Sequence, residues 1–183
     1  CDVDTGEELP LGRGEIVDVT VTGVKKGIAG EPGCLQGSFE GSRLAGFMAI
    51  NGETGVYGQL TSLPVSRQEA VPIALKQEVS PGPAVIYTTL SGRTPQAYDI
   101  VIESVDLSSG SKTKSMVIRV TDPELLEAAG GIVQGMSGSP ILQDGRLVGA
   151  VTHVFVGDQT RGYGIFAENM NETAASLTVE NAA

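Results

Sequence analysis

The stretch GGIVQGMSGSPILQDGRLVGAVTH, residues 130 to 153, holds a serine between glycines, then Ser-Pro, an apolar strand and a histidine. A serine that attacks a carbonyl must stand on a tight turn with its hydroxyl exposed. Backbone N–H groups must converge where the oxyanion forms. Gly135-Met136-Ser137-Gly138-Ser139-Pro140 meets both needs, because Gly135 and Gly138 permit backbone angles that a side chain forbids. The amides of Gly135 and Ser137 are the candidate oxyanion donors. A nucleophilic serine also needs a base, and the sequence has one histidine, His153. Either His153 is that base or the base lies outside these residues. The bland alternative is a Gly/Ser hairpin between two strands.

His153 follows a strand that leads away from Ser137, so it has two further readings. It lines a pocket or contacts a substrate, or it is a satisfied structural histidine. In any of these roles it is the one side chain with an ordinary pKa near neutrality.

The elements that must position this loop are strands. Val17, Val19 and Val21 alternate with Asp18, Thr20 and Thr22, a period-2 strand over 15–24. Residues 45–50, 56–60, 70–75, 84–90, 96–107, 114–122, 140–143, 146–156 and 162–168 read as further strands. Tyr98, Ile100 and Ile102 face one way. Turn signals separate them at 51, 80, 144 and 157. The one good helix is 122–131, with Asp122 as N-cap, Pro123 at the first helical position and Gly130 as terminator. Many short strands and one short helix predict an all-β barrel or sandwich. The stretch 171–183 is small and polar and reads as a tail.

Composition narrows the function. At 183 residues the chain holds one substantial domain or two small barrels sharing a core. The net charge is −10 with no basic stripe, which argues against nucleic acid. No apolar run is long enough to span a bilayer, and no secretory leader opens the sequence. Cys1 and Cys34 are expected as free thiols, and no Cys/His spacing suggests zinc. Neither a metal nor an organic cofactor is expected.

The G-x-S-G-x-P pattern at 135–140 is that of chymotrypsin-like double-barrel proteases. It does not fit the G-x-S-x-G elbow of α/β-hydrolases, since position 139 is Ser and a strand follows, which disfavours an acyl esterase. Three segments, DVDTGEELPLGRGEI, RVTDPELLEAAGG and the run from Gly130 to Met170, resemble the peptidase domain of the SpoIVB family, the sporulation stage IV B serine peptidases. The likeness runs from residue 2 to about 170, weakest near 35–70.

The resemblance implies a chymotrypsin-like double β-barrel with one short helix before the nucleophile loop, residues 1–170 forming the peptidase domain and 171–183 a C-terminal tail. It implies a serine endopeptidase made with an upstream membrane anchor and PDZ domain. Such a protein cuts itself and is released into the space between forespore and mother cell. There it cleaves a membrane-bound regulator of an intramembrane protease, and a late sigma factor is activated. Its partners are that protein substrate and its own PDZ domain. The nucleophile matches Ser137 and the acid matches Asp122, while the histidine belongs to a Gly-His pair just ahead of the DVDTG motif, upstream of Cys1. On that expectation residues 1–183 by themselves are inactive. Asp122 keeps its plainer reading as a helix cap, and Asp2 and Asp4 are the runners-up.

The segment RGYGIF, 161–166, reads as an edge to which a peptide adds as a strand, with Tyr163 and Gly164 touching substrate, or equally as an ordinary core hairpin. A shortened N-terminus also leads to the expectation of a strand-exchanged homodimer. The competing class is a catalytically inactive protease-fold module that binds peptides or a partner domain. An intact Gly-Met-Ser-Gly-Ser-Pro favours the enzyme.

Overall fold

The computed structural model describes residues 14–60, 70–108 and 110–180. Asp2, Asp4 and Cys1 therefore lie outside the described residues. Nine strands and two helices follow in the order β1 (Gly14–Lys25), β2 (Cys34–Gly52), β3 (Gly55–Leu60), β4 (Gly82–Thr88), β5 (Gln96–Val105), β6 (Met116–Val120), α1 (Pro123–Ala129), β7 (Pro140–Gln143), β8 (Arg146–Phe155), β9 (Asp158–Phe166) and α2 (Ala167–Glu180).

Strands β4 to β9 close into a barrel in the order β4-β5-β6-β9-β8-β7, every pairing antiparallel. Closure follows from alternation. Tyr98, Ile100 and Ile102 point inward from β5 and are buried, as are Ile86, Ile118, Ile141 and Ile165 from the other strands. Each such side chain contributes roughly 1.5–3 kcal/mol relative to an exposed one. Asp144 and Gly145 both take positive φ, 50° and 74°, and make the two-residue turn that joins β7 to β8.

Ahead of the barrel, β1, β2 and β3 form a three-stranded antiparallel sheet. Bulges at three places in the β1–β2 ladder interrupt its alternation, and Val19 and Phe39, paired across it, are both exposed. The sheet docks on the barrel through Val24 and Leu35, which pack against the core, and through backbone. Val21 and Gly92 exchange N–H···O bonds of 2.8 and 2.9 Å, Gly27 N–H donates to Ala129 O at 2.9 Å, and Leu35 N–H donates to Gln134 O at 2.8 Å.

The helix before the nucleophile loop forms as its sequence dictates. Asp122 Oδ1 accepts from the N–H groups of Glu124 (2.9 Å) and Leu125 (3.0 Å), and Gly130 ends the helix at φ 79°. Leu125 and Ala129 are fully buried beneath it.

Four local expectations need correction. Residues 70–75 are not a strand: Pro72 lacks the N–H a ladder requires, and one isolated bridge, Ile73 to Leu147, is all that forms. Residues 34–44, not expected as a strand, belong to β2 because β1 pairs with them. The turn expected over 157–162 is confined to Val156 and Gly157, and Asp158–Gly162 already run in β9. Most of the expected tail is helical. Ala167 is buried, Thr173 Oγ1 donates to Asn169 O at 3.0 Å, and Glu168 Oε2 accepts the Lys76 N–H at 2.6 Å, which anchors α2 to the barrel's surface.

Candidate active site

Ser137 stands exposed on the turn between α1 and β7. Gly135 and Gly138 have φ of 96° and 89°, which only glycine adopts without strain, so both are required by the turn. The loop is fixed on each side of the serine. Behind it, Met136 is fully buried and its N–H donates to Val133 O at 3.1 Å. After it, Gly138 N–H donates to Val151 O at 2.8 Å and Val151 N–H to Ser139 O at 2.9 Å. The N–H groups of Gly135 and Ser137 are both left without an acceptor among the described residues.

The Ser137 hydroxyl donates to Thr152 O at 3.1 Å. A carbonyl accepts a hydrogen bond but cannot take the proton, so this contact parks the hydroxyl without activating it.

His153 is the residue after that carbonyl, yet no hydrogen bond joins it to Ser137 among the described residues. It stands at the surface of β8 with part of its ring shielded. That shielding, and then the Lys114 ammonium, hold its pKa below the usual imidazole value.

Asp122 is half-buried, and its carboxylate is turned to backbone. Besides the cap contacts of Oδ1, Oδ2 accepts from Asp99 N–H at 3.3 Å. No hydrogen bond connects it to Ser137 or His153 among the described residues, so the structure brings out its capping role directly.

The edge expected at 161–166 is not free. Residues 161–164 of β9 pair with β6 on one side, and 162–164 with β8 on the other, so Tyr163 and Gly164 have no backbone left for a peptide. The Tyr163 ring packs 4.7 Å from that of Phe155, with Lys114 Nζ 5.3 Å from its centroid. Of the two readings of this segment, the barrel strand holds.

The free edge belongs to β8 instead. Its pairing with β7 ends at Ala150, opposite Pro140, while its pairing with β9 continues to Phe155. Residues 152–154 therefore have a strand on one side only, and that segment starts at the carbonyl touching Ser137. Sequence pattern alone misses this edge, because it depends on where β7 stops.

Among the described residues no group of three His, Cys, Asp or Glu side chains could hold a metal, and no helix is long and apolar enough to cross a membrane. Cys34 is an unpaired, half-buried thiol.

Two solved structures are similar in fold. One is the Rv3671c protease in an inactive form, with TM-score 0.50 and 15% identity over 78% of this chain and 72% of that one. The other is an inactive serine-to-alanine mutant of Rv3671c from M. tuberculosis H37Rv, with TM-score 0.50 and 15% identity over 90% of this chain and 80% of that one. At that identity the likeness speaks for the fold alone. No curated protein matches the chain. The family model for the SpoIVB peptidase S55 matches residues 1–171. With the exposed serine turn, its two unengaged amides and the protease-like barrel, that match over nearly the whole length makes the chain a member of the SpoIVB peptidase family of serine peptidases.

Proposed function

We propose that the chain is the catalytic domain of a sporulation-type signalling endopeptidase that cleaves itself and a membrane-bound regulator of an intramembrane protease. The observation that carries the chemistry is Ser137, exposed on a two-glycine turn beside two unengaged amides and an open strand edge. In this reading the sheet β1–β3 belongs to the partner barrel of a chymotrypsin-like pair. The PDZ domain and anchor expected of the family deliver the substrate in the space between forespore and mother cell.

The peptide's acyl half adds to the β8 edge at 152–154, and its scissile carbonyl meets Ser137. The hydroxyl leaves Thr152 O for a histidine base, supplied by the Gly-His pair that precedes the DVDTG motif in the family. Attack forms the acyl-Ser137 ester through a tetrahedral oxyanion held by the amides of Gly135 and Ser137, and the protonated histidine gives its proton to the departing amine. Asp122 orients the imidazole while Oδ1 keeps its place on the helix cap.

The test compares residues 1–183 with the same chain extended upstream through the family's histidine. Each is incubated with an unstructured peptide pool beside its Ser137→Ala control, and products are read by mass spectrometry. Cutting by the extended, unmutated protein alone is the expected result. Cutting by the shorter chain assigns the base to His153 or another group, and no cutting by either removes the endopeptidase reading.

A further inference from the structure

A cleft of about 340 Å³ opens beside the serine loop. That volume is at the low end of small-ligand pockets, about 300–1,000 Å³. One wall is Gly135, Gly138 and Ser139 of the nucleophile loop; the others include Val19 and Val21 of β1, Leu35 of β2, and Tyr87 of β4. Neither Thr152, His153 nor any residue of β9 lines it.

Several observations give the cleft a purpose. Its walls mix apolar and polar groups, with Thr88, Thr89 and Ser139 beside the apolar side chains, and Val19 and Tyr87 keep 41% and 38% of their surface accessible. Its floor is rigid, because Leu35 N–H and Gln134 O are joined at 2.8 Å and Gln134 N–H and Gly33 O at 2.9 Å. A Cβ on Gly135 would lie 3.1 Å from Leu35 Cβ, so the oxyanion-donor glycine rests against a cleft wall. No carboxylate lines the cleft, and Arg93 is its one charged residue among the described residues.

We infer that this cleft receives the side chain of the substrate residue immediately after the scissile bond, and that it selects an uncharged aliphatic one. The inference rests on the peptidase reading above. A peptide whose acyl half lies along 152–154 crosses Ser137 and continues past the loop, and Gly135, Gly138 and Ser139 of that loop border the cleft. Burial of an aliphatic side chain against Val21, Leu35 and Tyr87 stabilises the leaving half, whereas a lysine or arginine there finds no anion.

Acyl transfer reads this side separately. The upstream-extended protein is acylated by a peptide ester, and glycine amide, leucine amide, phenylalanine amide or lysine amide is added. The amine nitrogen bonds the acyl carbon as the bond from that carbon to Ser137 Oγ breaks, and the amine proton passes through the base to Oγ. The ratio of amide product to hydrolysed acid in the same tube reports occupancy of the cleft. Leucine amide is expected to capture the acyl group about tenfold better than glycine amide or more, with lysine amide near the glycine level. Val21→Phe fills the cleft and brings the leucine preference to about twofold or less. Tyr87→Ala widens it and raises phenylalanine amide relative to leucine amide, a second reading should Val21→Phe not fold. Equal capture of leucine and glycine amides by the unmutated protein overturns the inference, as does a preference that survives both substitutions. Ester turnover that persists in Ser137→Ala overturns the peptidase reading, and the cleft assignment falls with it.

Discussion

The barrel β4–β9 and the sheet β1–β3 solve different problems with similar strands. The barrel buries one face of every strand, so Ile86, Ile100, Ile102, Ile118 and Ile141 are inaccessible and their register is fixed. The sheet leaves Val19, Phe39 and Val56 at 41%, 78% and 51% exposure, and meets the barrel through backbone bonds and the side chains of Val24 and Leu35. Chemistry divides along the same line. Ser137, its two amides, the β8 edge and Asp122 all belong to the barrel and the loops between its strands, while the sheet supplies a cleft wall.

The largest effect that sharpens this comparison concerns Asp122. If the barrel carries the acid as well as the nucleophile, Asp122→Asn in the upstream-extended protein lowers kcat by about 10⁴. Its stability barely moves, because Asn caps a helix as well as Asp does. Peptide cleavage kinetics beside thermal unfolding check this, and unimpaired cleavage would return Asp122 to the role of cap alone.

Next in size is the packing contrast. Ile118→Ala should destabilise by about 2–5 kcal/mol, whereas Val19→Ala should cost less than about 0.5 kcal/mol. Denaturant titration measures both, and equal losses would mean that the sheet is as integral to the core as the barrel. Asp122→Ala removes the cap and should cost about 1 kcal/mol in the same assay.

Smaller still are two titrations. On the barrel's outer face Glu103 of β5 accepts from Arg119 Nε of β6 and Arg161 Nε of β9, each at 2.7 Å. Chiefly the Arg119 contact, and then Arg161, hold the Glu103 carboxyl below its usual range against partial desolvation. The folded state therefore binds this proton less readily than the unfolded one. The stabilisation is present above the unfolded value of about 4.3 and is lost as pH falls through the depressed one. Glu103→Gln should cost about 1 kcal/mol or less at neutral pH and flatten the acid limb of a stability–pH curve. His153 gives the smallest effect, also acid-sensitive. Its lowered pKa favours the neutral ring in the folded state, so stability declines slightly as pH drops below about 6.5. His153→Gln should remove that slope.

What was legible in the sequence follows the same division. Tyr98, Ile100 and Ile102 alternate because one face of β5 is buried, and Asp122-Pro123 with Gly130 spells a capped helix that forms where expected. The serine turn was readable because Gly135 and Gly138 answer a backbone demand local to six residues. The long-range features were not. Residues 34–44 become strand because β1 pairs with them, and bulges hide any period. Pro72 denies a ladder to an apolar run that otherwise suggests one. The helical 167–180 shows little in composition, because its support comes from Lys76 and from contacts with β8 and β9. The open edge is at 152–154 and not at 161–166 because β7 ends at Pro140, and the cleft exists because Leu35 docks against a loop a hundred residues away.

The central claim is that Ser137 is the nucleophile, and covalent trapping tests it most directly. The upstream-extended protein is treated with a fluorophosphonate, digested and mapped by mass spectrometry. The account predicts one adduct, on Ser137, with loss of peptide cleavage in proportion to labelling. An adduct on Ser139 or another residue, or cleavage that continues with Ser137 fully modified, would contradict it.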